Sequence, residues 1–181
     1  MSCALPIDAY LEARVAGAIE GAIEWQAKDM NCDGMRRPDG EGLRVTFSGA
    51  HGAEHLTLVF GVPHLPEGAE GRAVPVNVTL IREGGGLYST RGGDKCVLDS
   101  VHQYPLEVPE LPTAKPAAGT ASRHWRIEAR GFCLEPARAV GDSRGAIMLS
   151  TFDFRGQLTW EPDPPPTSPL IAPAHAKPPE G

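Results

Sequence analysis

Three carboxylates, Asp33, Asp39 and Glu41, fall in one glycine-punctuated stretch, Asn31 to Gly42, which is expected to be an acidic loop and also holds Cys32. They are hard oxygen donors on a pliable backbone, the ligand type a Ca²⁺ ion takes. Their spacing matches no EF-hand loop, Arg36 and Arg37 stand ready to neutralise them, and Asp-Gly pairs also form ordinary turns. His51 and His55 are four residues apart, with His64 further on. On a helix that spacing would aim two imidazoles at one zinc ion. Here Gly49 and Gly52 set the pair at a hairpin tip between Phe47 and Leu56, where they need not converge, and no third ligand is fixed.

Asp99, Ser100 and His102 carry the residue types of a nucleophilic triad. In an extended strand Ser100 and His102 share a face while Asp99 points the other way, and no Gly-x-Ser-x-Gly elbow supports the serine. Asn77-Val78-Thr79 matches the glycosylation acceptor pattern, which arises often by chance. The segment Arg91-Gly92-Gly93-Asp94-Lys95 reads as a turn, without the serial glycines of a phosphate cradle. The motifs therefore show no catalytic apparatus, and no cofactor is expected beyond the Ca²⁺ reading above. A metal-dependent hydrolase using Asp33, Asp39, Glu41, His51 or His55 stands as the enzymatic alternative.

The cysteines say more about architecture. Cys133 lies on the same strand face as Trp125, Ile127 and Ala129, and Cys96 shares a face with Leu98. Two inward cysteines on separate strands imply a disulfide and an oxidising compartment, periplasmic or extracellular. Four reduced thiols in a cytoplasmic protein are the competing reading. Cys32 is expected to pair with Cys3 or stay free, and a Cys32–Cys96 bridge is the alternative. Met1 to Pro6 lacks the basic start and apolar stretch of a signal peptide. An oxidised chain is then expected to be a mature sequence with an added methionine. Cys3 would stand near its natural end, either as a surface cysteine or as the lipidated cysteine of a bacterial lipoprotein.

These residues need a scaffold, and period-two alternation supplies it. Leu43, Val45 and Phe47 alternate with polar neighbours, as do Leu56 to Val62 and Val74 to Leu80. After Gly84-Gly85-Gly86 a short strand runs around Leu87 to Thr90. From Ala146 to Trp160 the first half is apolar on both faces and the second on one, as if a strand left a buried centre for an edge. In the N-terminal stretch, Val15, Ile19, Ile23 and Trp25 belong to one period-two face, which predicts a long strand over residues 11–26. Leu11, Val15, Ile19 and Ile23 also form a helical stripe, so an amphipathic helix from Asp8 is the alternative.

The expected fold is all-β: a β-sandwich of about eight mainly antiparallel strands over residues 11–160, after an extension at 1–10. A proline-rich crossing from Pro105 to Ser122 joins the two cysteine strands. Residues 161–181 hold eight prolines and are expected to form a disordered or polyproline tail. With 17 Lys and Arg against 23 Asp and Glu, the net charge of −6 excludes a typical nucleic-acid binder. No apolar run reaches the roughly 20 residues of a membrane-spanning helix. The expected function is an extracytoplasmic binding or accessory domain, free or lipid-tethered, with its ligand site in the loops and a protein or cell-envelope ligand as partner. A structural module docking through its tail is a further alternative.

Overall fold

Alternating side chains carry the described residues into eleven strands. A computed structural model describes residues 3, 7–39, 41–91, 95–107 and 121–162. The strands are β1 (Tyr10–Gly17), β2 (Gly21–Gln26), β3 (Met30–Arg36), β4 (Leu43–His51), β5 (Glu54–Val62), β6 (Val74–Arg82), β7 (Gly86–Ser89), β8 (Cys96–Leu106), β9 (Arg123–Cys133), β10 (Ala137–Ala139) and β11 (Ala146–Trp160). The tail from residue 163, residues 108–120 of the expected crossing and residues 92–94 lie outside the described residues.

The expected sandwich is instead a closed barrel. Antiparallel pairing runs β3–β4–β5–β6–β8–β9–β11, and a parallel contact between Thr159 of β11 and Met35 of β3 closes the ring of seven. Gly34 makes that closure possible: a Cβ there would collide with the backbone carbonyl of Gln157. Closure leaves no free strand edge in the ring. At the far end β7 and β10 bridge β6 to the start of β11.

Neither the long N-terminal strand nor the helix forms. Residues 10–26 fold as a hairpin, and the two glycines that would weaken a helix are its hinge, with φ of 116° at Gly17 and 118° at Gly21. The hairpin pairs with β11 through β1, and Trp25 donates from Nε1 to the Ala50 carbonyl of β4 at 2.7 Å. It thereby fills the wedge that opens where β3 and β11 diverge.

The barrel interior is packed with side chains. Phe47, Phe60, Phe152 and Phe154 form its aromatic centre, with ring centroids 4.7–6.1 Å apart. Arg, Glu, His and Thr side chains occupy the outer face, the reverse of a lipid-facing barrel. No described helix is long and apolar enough to cross a membrane.

The β11 pattern, read as a strand leaving the core for an edge, has another cause. Arg14 pairs with Thr151 but Val15 with Leu149, so Ser150 is an extra residue. This β-bulge switches the inward face from Ile147 and Leu149 to Phe152, Phe154 and Leu158, so the strand keeps one face in the core on both sides of it. One end of the barrel is capped by residues 63–73. The buried Gln103 amide holds this cap by donating to the carbonyls of Pro66 and Ala69 while accepting from Trp160 Nε1. Glu67 of the cap receives Arg123 through two bonds of 2.7 Å and Trp125 Nε1 at 2.8 Å.

Both pairs of cysteines are bonded. Cys96 and Cys133 face each other across β8 and β9, and Cys3 bridges to Cys32. Cys32 is not in a loop but on β3, facing inward. With its sulfur in a disulfide, Cys3 has none free to carry the thioether of a lipid anchor.

Candidate functional site

The candidate ligands named above do not converge. Half of the acidic loop is strand β3, which turns Asp33 outward, where its Oδ1 accepts from the Gly34 amide. Asp39 pairs with Arg37 at 2.7 Å, and Glu41 pairs with His64, its neighbour just beyond the β4–β5 ladder, also at 2.7 Å. His51 Nε2 meets the Glu20 carbonyl, whereas His55 pairs with Glu83. Among the described residues no three His, Cys, Asp or Glu side chains gather as metal ligands. Asp99 does not point away from Ser100 and His102 as plain strand alternation would place it. Leu98 pairs with Gly131 and Ser100 with Arg130, so Asp99 is itself a bulge residue and lies exposed on the outer surface. His102 turns its Nδ1 to Glu70 at 3.2 Å and stacks on Tyr104.

The two bulges, at Ser150 on β11 and Asp99 on β8, flank β9 in one sheet. Bulges bend and coil strands and recur beside functional sites. Here β2, β1, β11, β9 and β8 present on their outer face a groove of about 510 Å³. Register assembles its wall. Glu24 stands opposite Glu12, Glu12 opposite Asp153, and Asp153 opposite Arg130. Arg14 and Asp99 add charge from the adjoining row, and Phe132, 38 % exposed, supplies apolar surface.

Three carboxylates abreast repel one another, a cost that cross-strand neighbours of opposite charge avoid. The next row shows that avoidance. Glu128 accepts from Arg155 at 2.8 Å and lies 3.1 Å from Arg126 Nε, which is out of line for a hydrogen bond. Arg126 in turn rests 4.6 Å above the Tyr104 ring. By contrast, among the described residues Glu12, Glu24, Asp99, Arg14 and Arg130 have no side-chain ion pair. Asp153 accepts the Tyr10 hydroxyl at 2.8 Å. Burial, then that bond and the Asp153 charge, push the Tyr10 phenol up to about 12, against an opposing effect of Arg155.

No protein-family model, curated protein or solved structure matches this chain. Glu12, Glu24, Arg130 and Asp153 were not candidates from the sequence. Each is an ordinary outward position on an amphipathic strand, and only the pairing register brings them together.

Proposed function

We propose that this is an extracytoplasmic ligand-binding domain whose site is the outer groove on β2, β1, β11, β9 and β8, and that its ligand is cationic with an apolar portion. The carrying observation is the row Glu24–Glu12–Asp153, set side by side in a bulge-shaped groove. Four acids, Glu12, Glu24, Asp99 and Asp153, against two bases, Arg14 and Arg130, leave the groove with net negative charge. A ligand amine or guanidinium would relieve the carboxylate repulsion, while Phe132 offers contact to its methylenes. The two disulfides support an oxidising compartment, where such bonds persist. The ligand site thus sits on a strand face rather than in the loops, and it lies apart from the capped barrel end.

The test is an amide-resonance titration with a tetralysine peptide, using tetraglutamate as the control. Saturable shifts are expected in β1, β2 and β11 for tetralysine alone. Glu12→Gln combined with Glu24→Gln should weaken binding by about tenfold, given about 0.2–1 kcal/mol per exposed charge contact and more where partly desolvated. Absence of saturable shifts, or binding unchanged in the double variant, would overturn the reading.

A further inference from the structure

A second groove lies across the barrel, on the outer face of β4, β5, β6 and β7, and its chemistry has the opposite sign. Register sets Arg44, Gly61 and Asn77 side by side in one row and Val59, Thr79 and Ser89 in the next. Gly61 has no side chain, so the row dips at its centre. The resulting cavity of about 300 Å³ is at the lower end of the range for small-molecule sites. Arg37 and Arg91 flank it, making three guanidiniums around one depression in a chain of net charge −6.

These cations are incompletely engaged. Arg37 pairs with Asp39 at 2.7 Å. Arg44 Nη2 has only the weak acceptor Met35 Sδ, at 3.3 Å. Arg91 is exposed, with no ion pair among the described residues. On the floor the hydroxyls of Thr79 and Ser89 lie 3.3 Å apart, joined by the Asn77 amide at the side. Guanidiniums present a planar fork of donors that matches a tetrahedral oxyanion, whereas lysine offers only a point charge. Hydroxyls and a carboxamide are the partners a sugar hydroxyl takes.

We infer that this groove binds an anionic saccharide through a sulfate or phosphate ester, with Arg44 and Arg91 holding the oxyanion and Asn77, Thr79 and Ser89 meeting the sugar. The site is distinct from the acidic groove and does not depend on that reading. The oxyanion enters between Arg44 and Arg91 because Arg37 is already neutralised by Asp39.

Calorimetric titration with a heparin-derived tetrasaccharide tests this, alongside inorganic sulfate and vesicles of phosphatidylcholine containing phosphatidylglycerol. Saturable binding of the tetrasaccharide is expected, with weaker binding of sulfate at the same site and affinity falling as salt rises. Arg44→Gln and Arg91→Gln should each weaken it about tenfold, the worth of one charge-assisted hydrogen bond. Gly61→Glu should abolish it by filling the dip with a carboxylate. A Cβ at Gly61 meets only Asn77 atoms, at an ordinary 3.8 Å or more, so this variant keeps the backbone. Glu12→Gln, in the other groove, should leave the tetrasaccharide affinity unchanged, which separates this site from the acidic one. Unchanged melting temperatures would show that the variants are folded. No tetrasaccharide binding, binding undiminished in Arg91→Gln and Gly61→Glu, or binding of the vesicles alone would each overturn the inference.

Discussion

Tyr10 shows how a single side chain on this surface is tied to its neighbours. Its hydroxyl is given to Asp153, and the Arg155 guanidinium lies 5.5 Å from its ring centroid. The fold holds the phenol protonated up to about 12 rather than 10. A group whose folded pKa is raised stabilises the fold fully below the unfolded value and loses that contribution as pH climbs through the folded one. We predict that wild-type stability falls more steeply than that of Tyr10→Phe between pH 10 and about 12. Urea unfolding midpoints across that window check it, and parallel curves for the two proteins would refute it. Titratable side chains such as Glu12 and Asp153 were visible in the sequence only as polar positions. Their adjacency depends on residues about 140 positions apart in the chain, as the 143-residue separation of Tyr10 and Asp153 illustrates.

At the scale of elements, the bulge at Ser150 decides how β11 serves the core. One extra residue lets Ile147 and Leu149 face inward before it and Phe152, Phe154 and Leu158 after it. Deleting Ser150 forces a one-residue slip, which turns one of those sets into solvent. Exposing several buried apolar side chains at about 1.5–3 kcal/mol each exceeds the stability of most domains. The Ser150 deletion is therefore expected to unfold the protein, whereas Ser150→Ala, at an exposed position, should stay within about 0.5 kcal/mol of wild type. Circular dichroism and denaturant unfolding distinguish the two, and a cooperatively folded deletion variant would dismiss the role given to the bulge. The face switch was present in the sequence, as odd apolar positions giving way to even ones. It read as an edge because alternation alone does not separate a bulge from a change of environment.

For the whole molecule, the disulfides fasten long-range closures. Cys96–Cys133 joins β8 to β9 across a separation of 37 residues, and Cys3–Cys32 ties the N-terminus to β3 across 29. Chain-entropy arguments value loops of this size at about 3.5–4 kcal/mol, and native disulfides typically contribute about 2–5 kcal/mol. Replacing Cys96 and Cys133 together with alanine is expected to cost about 2–4 kcal/mol while leaving the strand content intact. Denaturant unfolding monitored by circular dichroism measures this, and an unchanged midpoint would show that the β8–β9 ladder needs no covalent support.

The sequence by itself determined the all-β class. Apolar residues at every second position report directly which side of a strand is dry, and the same rule turned Cys96 and Cys133 inward. It left residues 11–26 between strand and helix, because Gly17 and Gly21 fit a weak element as well as a hinge until a partner strand is present. Only the tertiary structure decided that the sheet closes into a barrel, since the closing contact joins Met35 to Thr159 in parallel and depends on the missing side chain of Gly34. It also decided that two grooves of opposite charge form on the outer face. Alternation specifies inside and outside but not which strands are neighbours. A groove wall drawn from five strands exists only once their registers are set.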